Sequence, residues 1–199
     1  EAVLPLCQAL STEDSGVEVE ACRALAILND RRAVPHLIAL LKHEDLAVRG
    51  YAALALGKLG DERAVNPLLY LLQDAELNVR ASAAESLGML GKPIAVDYLI
   101  AALDTGDFNV RIAVASSLRR FDSAQVAQRL AQALGHQSPR FRKAVAFALG
   151  RLQSPAAALA PLTAALADAD EGVAKHAAFG LAELGIPQAV APLVKALQD

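Results

Sequence analysis

The chain has 199 residues, 54% of them hydrophobic but only 4% aromatic, and a formal net charge of −3. Ala and Leu supply most of that apolar mass, which suits closely packed helices, while the slight acidic excess argues against a nucleic-acid binder, for which a basic stripe is expected. No run approaches the ~18 uninterrupted apolar residues of a membrane span, and Cys7 and Cys22 are too few for a disulfide framework or a four-thiolate metal site, so a cytoplasmic, reducing compartment is the default.

From the N-terminus onward the sequence is written in one frame. Glu1–Asn29 is its first copy, with Glu18 where later copies carry Arg. In Asp30–Gly60, Val34, Leu37, Ile38 and Leu41 recur at spacings of three and four, which predicts one face of a helix. Lys42–Ala47 is a short polar hairpin, and Val48, Ala52, Leu56 and Leu59 predict a second helix. Asp45 stands at its N-cap and Gly60 at the left-handed position that ends it. Asp61–Gly91 repeats the frame 31 residues later, and weaker copies follow at Lys92–Asp122 and Ser123–Gln153. Ser154–Gly185 carries one extra residue, since Leu149 and Leu181 are 32 apart, and Ile186–Asp199 supplies half a copy.

This periodicity predicts an all-α fold, a right-handed α-solenoid of antiparallel helix pairs running as a single array over 1–199, in which no pair buries both apolar faces alone. The N-cap column reads Asp14, Asp45, Glu76, Asp107, Ser138 and Asp170; Glu is the poorest capper, so the helix after Glu76 is expected to fray. The chain does not begin with Met and both ends fall inside the repeat frame, so it reads as part of a longer array or one without its capping helices.

The pattern AVxxL(I/L)xxL followed by DxxVRxxAAxxLGxLG resembles the HEAT-like repeat of the phycobilisome-lyase type across essentially the whole chain. The resemblance implies an α-solenoid. It also implies one of two roles, since some members attach or detach phycobilins on phycobiliproteins, often with a second HEAT-like subunit, and many others are adaptors. Deoxyhypusine hydroxylase, a related HEAT-type enzyme, holds two irons through His-Glu pairs at the start of second helices. Here those positions are Gly50-Tyr51, Ala81-Ser82, Ile112-Ala113 and Lys143-Ala144, so the metal ligands are absent.

Other chemistry finds little support. His43 and His136 share a column but lie three repeats apart, and at about 10 Å per helix layer they cannot share a metal. His36 and His176 are isolated. Cys7 and Cys22 fall on apolar columns and read as buried small hydrophobes. Gly88-Met89-Leu90-Gly91-Lys92-Pro93 has the wrong glycine spacing for a phosphate loop and reads as a helix end. No catalytic residue, metal site or cofactor is assigned; a bilin enters only through the family resemblance.

Two sets of residues remain. Arg49, Arg80, Arg111 and Arg142 recur at the start of successive second helices and read as a structural ladder pairing with acids in adjacent hairpins. Stepping 100° per residue from Val48 turns the columns of Gly50, Tyr51, Leu54 and Lys58 away from the core. They vary from copy to copy, as a surface freed from packing does. The candidate groove is therefore Tyr51, Leu54, Arg119, Arg120, Lys143, Phe147, Arg151, Lys175 and Phe179, an apolar floor with cationic edges. That combination suits an acidic or amphipathic protein partner, or a planar ligand carrying carboxylates such as a bilin. The first reading is a non-enzymatic interaction scaffold; the alternative is a bilin lyase subunit or bilin-handling chaperone.

Overall fold

The apolar columns are realised as thirteen α-helices in a computed structural model that describes residues 2–12, 14–105 and 107–196. Glu1, Glu13, Gly106 and the last three residues of the expected half-copy lie outside the described residues. In chain order the helices are α1 (Val3–Ala9), α2 (Ser15–Leu28), α3 (Val34–Leu40), α4 (Leu46–Leu59), α5 (Val65–Leu71), α6 (Leu77–Leu90) and α7 (Ala95–Ala102). Then come α8 (Phe108–Leu118), α9 (Ser123–Ala133), α10 (Pro139–Leu149), α11 (Pro155–Ala165), α12 (Glu171–Glu183) and α13 (Val190–Ala196). The fold class is an all-helical α-solenoid. None of the described helices is long and apolar enough to cross a membrane. Packing divides the chain within α7 into a first unit, Glu1–Tyr98, and a second, Leu99–Asp199.

In the first unit α1, α3 and α5 pack on the second helices α2, α4 and α6, which lie side by side. Leu25, Leu37, Leu56, Leu68 and Leu87 are 0% exposed, and each such burial contributes about 2 kcal/mol. Asp14 and Asp45 accept first-turn backbone N–H groups as N-caps. Glu76 makes no such bond, yet α6 is as long as α2 and α4, at 14 residues. The Glu76 N–H is held by Asp74 Oδ1 at 2.9 Å, a hairpin bond at the start of the helix that does not involve the Glu side chain.

Each second helix of this unit ends on a residue in the left-handed region, at φ of 52° for Asn29, 64° for Gly60 and 61° for Gly91. Close approach of α4 to α6 depends on Gly57, where an added Cβ would stand 2.7 Å from Ser86 Cα. The Ser86 hydroxyl lies in that contact, 2.8 Å from Ala53 O and 2.7 Å from Ser82 O.

The second unit keeps the same core, with Leu118, Leu130, Leu149, Leu162 and Leu181 buried, but its second helices are shorter. α8 and α10 have 11 residues each and α12 has 13. The column of Gly60 holds Asp122, Gln153 and Gly185 here, and only Gly185 takes a positive φ, at 62°. Asp122 instead caps the next helix, accepting the Ala124 and Gln125 N–H groups at 2.9 and 3.1 Å. Gly150 meets Gly180 as Gly57 meets Ser86, with an added Cβ only 2.6 Å from Gly180 Cα. The matching position in α8 is Arg119, too large for such a contact, and α8 stops at Leu118.

Candidate functional site

The recurrent arginines sit in the first turn of each second helix, where they can span from one hairpin to the next. Arg49 Nη1 donates to the carbonyls of His43 and Glu44 at 2.8 and 2.9 Å, clasping its own hairpin. Its Nε and Nη2 form a fork on the Asp74 carboxylate at 2.8 and 2.9 Å. Arg142 repeats this with the carbonyls of His136 and Gln137 and with Asp168 at 2.8 and 2.7 Å. Burial pushes the Asp74 carboxyl up, but the Arg49 fork and the Glu76 N–H outweigh it and leave its pKa below the usual value. Arg142 does the same for Asp168 against a smaller burial effect. Arg80 has an enclosed Nε with no hydrogen-bond partner among the described residues, and Arg111 Nε donates to Asp107 O at 3.3 Å.

Sequence reasoning placed the arginines and missed the column they answer to. His43, Asp74, His136 and Asp168 occupy one position of the frame, two residues before the cap. Each accepts the cap residue's N–H: Asp45 N to His43 Nδ1 at 3.0 Å, Glu76 N to Asp74 Oδ1 at 2.9 Å, Ser138 N to His136 Nδ1 at 3.1 Å and Asp170 N to Asp168 Oδ1 at 2.9 Å. The shared column of His43 and His136 was visible in the sequence; the signal in it is an acceptor position, where an imidazole nitrogen substitutes for a carboxylate oxygen.

The first repeat inverts the rung. Glu18, only 2% exposed, stands in the arginine position and faces His43 Nε2 at 3.2 Å, a close polar contact and not an aligned hydrogen bond. Because His43 Nδ1 accepts from Asp45, the neutral ring carries its proton on Nε2, the atom turned toward Glu18.

On the outer face of the second helices, the first unit presents a cleft of about 320 Å³. Arg23 and Ile27 of α2, Tyr51, Leu54 and Lys58 of α4, and Glu85 and Met89 of α6 line it, with Cys22 at its base. Tyr51 and Leu54, expected in the groove, are thus brought together. The Arg23 guanidinium lies 5.7 Å from the Tyr51 ring centroid. Burial, and secondarily the Glu18 charge, push the Cys22 thiol up to about 12, so it is a neutral apolar surface and no nucleophile.

In the second unit the expected groove residues separate into two groups. Lys143 Nζ is 3.3 Å from Asp170, and its chain covers Gly172. Lys175 Nζ is 2.6 Å from Glu171. These two cations are already paired. Arg151 stacks on Phe147, 4.6 Å from the ring centroid, whereas Arg119 and Arg120 are exposed and make no ion pair among the described residues. Phe179 is 56% exposed. The sequence reading missed Phe108, 59% exposed at the start of α8, whose ring lies 6.2 Å from that of Phe147. A bulky apolar residue directly after an N-cap was the available signal, and Leu46 and Leu77 occupy the same exposed column. Ala144, expected to face outward, is buried.

Among the described residues no group of three His, Cys, Asp or Glu side chains is placed to hold a metal ion. Of the acids held close to cations, Asp74 and Asp168 belong to the ladder and Asp30, Asp61 and Asp170 to caps, while Glu20, Glu62 and Glu171 pair with Arg23, Lys92 and Lys175 at the surface. What this face offers is exposed apolar surface edged by guanidinium groups, which suits recognition.

Residues 34–108 and 99–173 match the family model of HEAT repeats, and residues 17–43 and 173–199 match that of the PBS lyase HEAT-like repeat. No curated protein matches the chain. Among solved structures, the complex of CpcE and CpcF of phycocyanin lyase from Nostoc sp. PCC7120 is similar at 26% identity and a TM-score of 0.61, covering 98% of this chain and 86% of that one. A designed armadillo repeat protein in complex with the peptide (KR)4 is similar at 18% identity and a TM-score of 0.53, covering 92% and 100%. YibA of Escherichia coli is similar at 21% identity and a TM-score of 0.52, covering 98% and 75%. The last two likenesses show the fold alone.

Proposed function

The chain belongs to the HEAT-repeat family, and from that premise we propose that it is a non-enzymatic scaffold holding an acidic or amphipathic protein partner on the outer face of its second helices. The observations that carry this reading are, in the second unit, the exposed rings of Phe108 and Phe179, the Arg151 guanidinium stacked on Phe147 next to Phe108, and the exposed Arg119 and Arg120, which make no ion pair among the described residues. Exposed aromatic and Arg side chains are the residue types that dominate binding energy at protein interfaces. The paired state of Lys143 and Lys175 narrows the cationic edge to the arginines.

The test is capture of partners by the purified chain at low and high salt, in parallel with an Arg120→Glu/Arg151→Glu variant. A partner retained by the parent chain, released by salt and lost by the variant supports the reading; equal capture by both chains removes this face from it.

A second reading, a phycobilin lyase subunit or bilin-handling chaperone acting with another HEAT-like subunit, is favoured by the likeness to the phycocyanin lyase complex at 26% identity. Its check is a visible absorption titration with phycocyanobilin. A saturable red shift lost in the same variant supports bilin handling, and an unchanged spectrum favours the scaffold.

A further inference from the structure

The cleft of the first unit has a composition of its own. Its floor is apolar: buried Cys22, whose thiol is held neutral, small Ala26 and Ala55, and half-buried Leu54. Its walls expose apolar surface, with Ile27 80% and Tyr51 38% exposed. At about 320 Å³ it lies at the small end of ligand-sized pockets, room for one bulky side chain and not for an extended ligand.

The charges around this floor are asymmetric. Along the column facing outward, α2 supplies Arg23, α4 supplies Leu54 and α6 supplies Glu85; one turn further on stand Ile27, Lys58 and Met89. Two cations therefore border the α2–α4 side and one acid the α6 side. Lys58 and Glu85 are both exposed and have no ion-pair partner among the described residues. Arg23 approaches only Glu20, at 3.5 Å, a solvent-exposed contact that holds it weakly.

We infer that this cleft is an anchor pocket for a protein segment that presents one bulky apolar side chain with a carboxylate beside it, the carboxylate seated toward Lys58 and Arg23. The apolar ring replaces water over Leu54, Ile27 and Met89, and the carboxylate meets the two cations. Glu85 repels an acid placed on the opposite side, so it fixes the direction in which the segment lies. The inference rests on the docking reading of the outer face and adds the chemistry of a partner's anchor.

Two capped dipeptides, acetyl-Asp-Phe-amide and acetyl-Lys-Phe-amide, test it by titration into the 15N-labelled full chain. The expected result is saturable amide shifts confined to α2, α4 and α6, with the Asp peptide binding roughly fivefold tighter, the size of effect a single exposed ion pair gives. Lys58→Glu reverses that preference. Glu85→Lys, which adds a third cation, tightens the Asp peptide further, a gain that misfolding does not produce. Equal binding of the two peptides, or shifts lying outside the three helices, overturns the inference. All the substituted positions are in the first unit, so its failure is separable from that of partner capture tested at Arg120 and Arg151.

Discussion

The two units share a repeat frame and a leucine core, yet the first is regular and the second is not. All three second helices of the first unit have 14 residues, against 11, 11 and 13 in the second. A single column accounts for most of the difference. Where it holds Asn29, Gly60 or Gly91 the chain turns left-handed after a 14-residue helix, and at Gly185 after one of 13; where it holds Asp122 or Gln153 the helix stops a turn early. A second column holds Gly57 and Gly150, where an added Cβ would meet the next second helix at 2.7 and 2.6 Å, and Arg119 directly after α8. Helix length thus follows a backbone-controlling position, while the leucines that bury most surface are alike in both units. Phe108, Arg119 and Arg120 are exposed at the two ends of α8, the second helix for which the two columns hold Arg and Asp.

The largest effect is expected from the ladder, which the two units have in common. Asp74→Ala leaves the Arg49 guanidinium, with a side chain only 13% exposed, without its partner and removes the acceptor for the Glu76 N–H. Losing one member of such a pair costs roughly 3 kcal/mol, read as a lowered urea midpoint. Asp168→Ala is expected to cost the same, because Arg142 and Asp168 are enclosed to the same degree. A large loss in one unit and none in the other would show that the rung depends on repeat regularity, contrary to the matching geometry.

Next comes the cap column. Gly60→Val forces a branched side chain to φ near 64°, at about 1–2 kcal/mol, and is expected to shorten α4 toward the length of α8 and α10. The converse change, Gln153→Gly, gives α10 the residue that a longer helix needs and is expected to raise amide protection at Gly150–Leu152. If protection there is unchanged, the short helices of the second unit have another cause.

Acid sharpens the comparison further. Asp30 and Asp61, both in the first unit, accept the N–H and guanidinium of Arg32 and Arg63, which hold their pKa values down to about 2 from 3.8. Both folded values lie below the unfolded one, so their contribution is present above pH 3.8 and is lost as pH falls toward 2. The same column in the second unit offers Ser123, Ser154 and Ile186. Asp30→Asn/Asp61→Asn is therefore expected to flatten the fall of stability between pH 4 and 2, measured by urea titration at each pH; an unchanged slope would place the acid-sensitive groups elsewhere.

The helices, their pairing and the cap columns were legible because each is a local rule repeated in register: apolar spacing, Asp before a helix, Gly after it. Two kinds of residue were not. The hairpin acceptor column escaped because His and Asp look chemically unrelated until the imidazole Nδ1 and the carboxylate Oδ1 are seen taking the same N–H. The state of each surface cation escaped because Lys143 and Lys175 find acids in the next hairpin and the first turn, whereas Arg120 finds none, and spacing along the sequence does not report that.

The inverted rung gives the expected effect nearest to zero. Glu18 and His43 occupy the arginine and acceptor positions, with the carboxylate moved to the arginine side and an imidazole facing it. Glu18→Arg alone sets a guanidinium against an imidazole, and His43→Asp alone sets two carboxylates together at a side chain only 3% exposed; both are expected to destabilise the first repeat. Made together they recreate the arrangement of Arg49 with Asp74, and the carboxylate introduced in place of the imidazole would still accept the Asp45 N–H as Asp74 accepts that of Glu76. The double variant should thus recover most of what either single change loses, with a coupling well outside the additive sum in a double-mutant cycle. Additive losses would mean that the pocket around Glu18 is shaped for a carboxylate, and that the first repeat departs from the ladder instead of inverting it.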